Sequence, residues 1–154
     1  MEIKNNIFEI DYDKLIQNGY RVFIFDFDNT LNKWKHSTID EKTIKLFEDI
    51  KKKNAKVFII SNGKPRKLNY KIEALWLAKK PLTFKIKKFL KSKNLDKEKL
   101  VVIGDQIFTD MLLGKLLNAY IIKVEPIDTS KEFLITKFLR FLERLLLKIL
   151  KVMI

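Results

Sequence analysis

The stretch Phe23-Ile24-Phe25-Asp26-Phe27-Asp28-Asn29-Thr30-Leu31 constrains the fold of this chain more than any other segment. An apolar run rich in aromatic and β-branched residues reads as a fully buried strand. It stops in two aspartates one residue apart. Extended backbone sends the side chains at i and i+2 to the same side, so this strand end carries two carboxylates together. Such a pair repels and needs a cation, a proton or a ligand. In an open α/β sheet, ligands bind outside the carboxyl ends of the strands. The plain alternative is a strand followed by an Asp/Asn turn, since both residues favour turns.

Two further strand ends resemble the first. Val57-Phe58-Ile59-Ile60 runs into Ser61-Asn62-Gly63, and Val101-Val102-Ile103-Gly104 runs into Asp105, with Asp110 five residues on. Between them, Ala78-Lys79-Lys80-Pro81 sets a lysine beside a proline. Hydrophobic periodicity predicts a short helix over 12–18, a strand over 21–26, a helix from Thr38 to Lys53 and a strand over 56–61. A basic helix over 65–73, a short strand over 75–77, a helix over 82–93 and a strand over 100–104 follow. A helix opens at the second acid pair and runs to Leu117, and Tyr120–Val124 is the last strand. Repeated βα units with right-handed crossovers predict an α/β fold built on a doubly wound parallel sheet.

The order Asp-x-Asp-x-Thr-Leu, strand-end Ser, Lys-Pro and Gly-Asp-x-x-x-x-Asp resembles the four motifs of the haloacid dehalogenase-like (HAD) phosphatases. The likeness extends to their capless branch, subfamily IIIA, typified by the YqeG proteins and the mitochondrial phosphatidylglycerophosphate phosphatases. Asn18-Gly19-Tyr20, Trp34 and the block Gly104-Asp105-Gln106-Ile107-Phe108-Thr109-Asp110 carry it. It implies a Rossmann-like core and a magnesium-dependent phosphomonoester hydrolase working through an aspartyl-phosphate. Asp26 is then the nucleophile, a role that splits the displacement into two easier steps. Asp28 is the general acid and later the general base. Mg2+ is implied on Asp26, Asp105 and the carbonyl of Asp28, with Asp110 orienting the site or holding a metal-bound water. Ser61 and the backbone amide of Asn62 would donate to the phosphoryl oxygens, and Lys80 would neutralise nucleophile and phosphate. Lys64, Arg66, Lys67 and Lys71 follow a strand end, and are expected to line the entrance and hold a second phosphate or a lipid surface. One departure from the branch is the turn after Ser61, which reads Asn62-Gly63-Lys64-Pro65-Arg66 instead of an Asn-Asn-like sequence.

The gaps between the motifs are informative. Neither the stretch from Asp28 to Ser61 nor that from Ser61 to Lys80 reaches the roughly 50 residues an independent domain needs. No cap is therefore expected, and an open site suits a phosphate presented on something large. From Phe133 to Ile154, Lys137, Arg140, Arg144, Lys148 and Lys151 recur at helical spacing beside a broad arc of Phe, Leu and Ile. A basic stripe beside a wide apolar face is the pattern of a helix lying in a lipid headgroup layer. The chain thus divides into a phosphatase core over 1–130 and a basic amphipathic helix over 131–154, part packed on the core and part interfacial.

Charge agrees with that reading. The 32 Lys and Arg against 19 Asp and Glu give a net charge of +13, which favours polyanionic partners. An AT-rich genome would give such a lysine excess without any selection for binding. There are no cysteines, no apolar run of about 18 residues and no signal-peptide pattern at Met1-Glu2-Ile3-Lys4, as a cytoplasmic protein would have. The expected product is phosphatidylglycerol, made by a peripheral protein on the inner face of the cell membrane from an anionic membrane lipid. The alternative is a protein that binds RNA or a ribosome-linked GTPase, or a phosphatase of another macromolecular phosphate. A nucleic-acid role draws little support, because only Tyr70 and Trp76 interleave the basic loops.

Overall fold

The structure is a computed structural model that describes residues 1–130 and 134–153, with side chains described for 1–130 and 136–149. Six strands form one sheet: β1 (Glu2–Lys4), β2 (Tyr20–Phe25), β3 (Lys56–Ile60), β4 (Ala74–Leu75), β5 (Lys99–Gly104) and β6 (Tyr120–Val124). Their spatial order is β1-β6-β5-β2-β3-β4 and every pairing is parallel. The helices are α1 (Tyr12–Gln17), α2 (Glu41–Lys52), α3 (Phe84–Ser92), α4 (Leu112–Leu116) and α5 (Leu134–Met153). This is the doubly wound α/β architecture the alternating pattern predicts.

Strand alternation divides the core. Phe23 and Phe25 of β2 face one side with Phe47 and Ile50 of α2. Val22 and Ile24 face the other with Ile86 and Leu90 of α3 and Leu113 of α4. Both faces of the central strands are buried, so these strands read as continuous apolar runs. The order of winding reverses between β5 and β2. Their carboxyl ends, with that of β3, meet where a doubly wound sheet opens a crevice.

Three local departures from the sequence pattern have physical reasons. β1 was not expected, because Glu-Ile-Lys is neither long nor apolar; it is a strand through its backbone pairing with β6. The predicted basic helix over 65–73 is irregular chain. Proline at the first position would not forbid a helix, but Arg66 is tied to Asp28 and Asn69 exchanges hydrogen bonds with the backbone of Ile39 at 2.8 and 2.9 Å. The helix expected from Asp105 opens instead as a π-helical turn over Ile107–Met111 before α4.

α5 docks on the core through two polar residues, a face that periodicity alone did not assign. Arg140 and Glu143 are buried, whereas Phe138, Phe141, Leu145 and Ile149 are 59%, 62%, 48% and 49% exposed. The helix therefore docks by part of its polar stripe and turns its apolar arc outward. Arg140 does not belong to a basic face toward lipid; an ion pair with a buried aspartate draws it inward. Phe133 and Ile154 lie outside the described residues, and the side chains of Leu134, Leu150, Lys151, Val152 and Met153 lie outside those described.

Candidate active site

Asp26 follows β2 directly, and its backbone N–H continues the ladder to the carbonyl of Ile103 at 2.9 Å. β5 delivers Asp105 alongside it. Asp110 comes from the π-helical turn and folds back over Gly104, where a Cβ would lie 2.4 Å from its carboxyl carbon. Only glycine leaves room for that approach. Oxygens of Asp26, Asp105 and Asp110 lie within 4.8 Å of one another.

Three carboxylates this close need positive charge. Lys80 supplies it, donating to Asp26 Oδ1 at 2.8 Å and to Asp110 Oδ1 at 2.6 Å with its ammonium almost wholly enclosed. Its place is fixed by the Asn62 side chain, which accepts from the Lys80 N–H at 2.6 Å and donates to the Lys80 carbonyl at 3.1 Å. Asn62 thus holds the lysine loop, a role beyond the backbone donor expected of it. Asp105 pairs with Arg140 from α5 and accepts from the Thr30 hydroxyl at 3.3 Å. Glu143, one turn further along α5, accepts from the N–H groups of Ile107 at 2.8 Å and Phe108 at 3.3 Å. It satisfies orphan donors where the turn after Asp105 begins.

Burial raises the Asp26 carboxyl well above its usual range, and the Asp110 charge adds to this against the pull of Lys80. Burial likewise pushes Asp105 up to about 6, with Asp110 adding and Arg140 opposing. Burial alone would lower the pKa of Lys80, but the two carboxylates outweigh it and raise the value. An all-oxygen cluster that resists full ionisation is a fitting place for a hard divalent cation. Asp26, Asp105 and Asp110 are the residues that could hold one.

The cluster floors a cleft of about 510 Å³. Ser61, Asn62, Lys64 and Arg66 line it, with Trp34, Lys35, Gln106 and Thr109 also in the wall. Ser61 is buried, and its hydroxyl accepts from the Gly63 N–H at 3.1 Å, which leaves its own proton to donate into the cleft. Lys67 and Lys71 are exposed and are not part of the lining, because the segment after Arg66 leaves the cleft along α2. The Asp28 carboxylate stands apart from the cluster of Asp26, Asp105 and Asp110. It takes two bonds from Arg66 and one from the Lys35 N–H at 2.8 Å. Arg140, Glu143, Gln106 and Thr109 were not foreseen as part of the site; the block from Gly104 to Asp110 was the only sequence signal near the last two.

Four strand-end motifs thus converge on one acid-floored cleft. The model of the mitochondrial PGP phosphatase family matches residues 2–127. The chain belongs to that family. The Bacillus subtilis (strain 168) protein described as "Probable phosphatase YqeG" is 36% identical over 155 residues, covering 97% of this chain and 90% of that protein. No solved structure matches the chain with significance. Family and relative together make this a phosphatase of the haloacid dehalogenase-like kind. The family match takes in every motif of the cleft and ends before α5.

Proposed function

We propose that the protein is a magnesium-dependent phosphatase that converts phosphatidylglycerophosphate to phosphatidylglycerol at the inner face of the cell membrane. The observation that carries the catalytic half is Asp26: a carboxylate at the cleft floor, only 9% exposed, with a buried ammonium 2.8 Å away. Asp26 attacks phosphorus and forms an aspartyl-phosphate as the leaving alkoxide departs. Asp28 delivers the proton to that alkoxide and then takes one from the water that cleaves the acyl-phosphate. Ser61 and the nearby backbone N–H groups meet the phosphoryl oxygens, and Lys80 balances their charge. Mg2+ on Asp26, Asp105 and the Asp28 carbonyl, with Asp110 beside them, would offset the repulsion between a phosphate dianion and the acids.

The lipid half draws on α5 and on the open cleft. The outward Phe138, Phe141, Leu145 and Ile149 side chains each contribute on the order of 1 kcal/mol when they leave water. Lys137, Arg144 and Lys148 on the same helix are exposed, and each cation near an anionic leaflet adds about 1 kcal/mol. Among the described residues no helix is long and apolar enough to cross a membrane, so attachment would be peripheral. The deciding experiment is phosphate release from short-chain phosphatidylglycerophosphate against soluble monoesters, with and without magnesium. Magnesium-dependent release that favours the lipid supports the reading; equal rates on all monoesters remove the lipid half.

Two results follow. Asp28→Asn is expected to slow hydrolysis of alkyl phosphates by roughly 10²–10⁴-fold. Nitrophenyl phosphate, whose leaving group needs no proton, should suffer far less, and an equal loss on both substrates would refute the acid role. Full-length protein should float with vesicles containing phosphatidylglycerol and release them as salt rises, since exposed charges are screened beyond about 8 Å at physiological ionic strength. The triple substitution Phe141→Gln, Leu145→Gln, Ile149→Gln should abolish flotation and leave nitrophenyl phosphate turnover intact. Intact protein that ignores anionic vesicles at low salt would turn the reading toward an RNA or protein partner.

A further inference from the structure

Arg66 is held unlike the other cations of the cleft mouth. Lys35 and Lys64 are exposed, whereas the Arg66 side chain is only 14% exposed. Its guanidinium makes two parallel bonds to Asp28, Nη1 to Oδ1 at 2.7 Å and Nη2 to Oδ2 at 2.7 Å. Nη1 also donates to the carbonyl of His36 at 3.1 Å. The group lies 5.3 Å from the Phe27 ring centre and 5.5 Å from that of Trp76, so aromatic faces fix its plane. The phosphate loop is shaped around it: a Cβ at Gly63 would stand 2.6 Å from Nη2.

A guanidinium fork fits a phosphate as well as a carboxylate, in the same two-bond geometry. The Asp28 carboxylate therefore stands where two phosphate oxygens could stand. Asp28 is also the residue that must meet the leaving oxygen. Whatever lies a few bonds beyond that oxygen is brought to Arg66, with Lys35 and Lys64 around it. We propose that Arg66 is the receptor for a second phosphate carried by the leaving alcohol, and that this phosphate displaces Asp28 from the guanidinium. The exchange turns Asp28 from an ion-pair partner into a group facing the reaction. A monoester without the second phosphate leaves the pair closed and reacts slowly. The inference rests on the phosphatase reading and states what that site asks of its substrate: two phosphates on one short alcohol, free or as a lipid headgroup.

The test compares glycerol 1-phosphate, glycerol 1,3-bisphosphate and short-chain phosphatidylglycerophosphate in wild type, Arg66→Gln and Arg66→Lys, with thermal unfolding on each to confirm folding. Hydrogen bonds to charged groups set the scale, so wild type should favour the bisphosphate over the monophosphate in kcat/KM by about 10- to 100-fold. Arg66→Gln should erase that ratio, lowering bisphosphate turnover and raising monophosphate turnover, because Asp28 is released. Arg66→Lys, which keeps charge without the fork, should retain only part of the ratio. Calorimetric binding of the two soluble phosphates to Asp26→Asn, with and without Arg66→Gln, gives a readout free of turnover. A bisphosphate preference in binding without any hydrolysis would keep the receptor and remove the phosphatase. Turnover with an unchanged ratio in Arg66→Gln would overturn the receptor and keep the phosphatase. A loss confined to the lipid substrate would place Arg66 at a membrane surface and also overturn it.

Discussion

Asp26→Asn is expected to lose phosphate release by more than about 10³-fold, with the fold intact. Catalytic groups that act as a unit fail together, and removal of a nucleophile sits at the top of that range. An amide cannot attack phosphorus, so no aspartyl-phosphate forms. The change is nearly isosteric and sits against Lys80, whose second partner Asp110 remains at 2.6 Å. Circular dichroism should therefore match wild type. The check is rapid acid quench with intact mass: wild type caught in turnover should carry one added phosphoryl group, and Asp26→Asn none. Residual activity within tenfold of wild type would show that Asp26 is not the attacking group.

Lys80→Met is expected to be the most destabilising single substitution in the cleft. The methionine fills the space of the stem and removes the charge that two buried carboxylates share. Leaving a buried charge without its partner costs about 3–5 kcal/mol. The loss should be largest without metal and smaller with magnesium, since a divalent cation on the same acids replaces part of the missing charge. Thermal unfolding of both proteins with chelator and with magnesium measures it; an equal gap in the two conditions would separate Lys80 from the acid cluster. The same series at several pH values has a defined sign for Asp105. Its pKa in the folded state is raised from 3.8 to about 6. Its contribution to metal-free stability is therefore full below about 4 and is lost as pH rises through about 6. Magnesium, which needs the ionised acids, should stabilise most above that window.

Much of this was legible in the sequence because parallel strands buried on both faces leave unbroken apolar runs. Each run ended in a chemically distinct residue: Asp26, Ser61 or Asp105. What escaped was non-local. Periodicity grouped Arg140 with Lys137 and Arg144, but it cannot tell which face of a helix docks. The ion pair to Asp105, 35 residues away in sequence, decided that. Arg66 was expected at the entrance; its clamp on Asp28, 38 residues upstream, depended on how the loop crosses the aromatic rings of Phe27 and Trp76. The helix expected over 65–73 failed because its lysines suggested an exposed helical face, while the long-range engagements of Arg66 with Asp28 and of Asn69 with Ile39 hold this segment as irregular chain.

Because all six strands run the same way, the molecule has a front and a back. Met1 precedes β1 and lies 64% exposed at the back, while the cleft and the outward side of α5 belong to the other end. A surface or bead coupled through the first residue would hold the protein with its catalytic end turned toward the bulk. A sensor chip loaded that way presents the cleft to dissolved phosphomonoesters. Orientation on a support thus follows from the one direction that all six strands share.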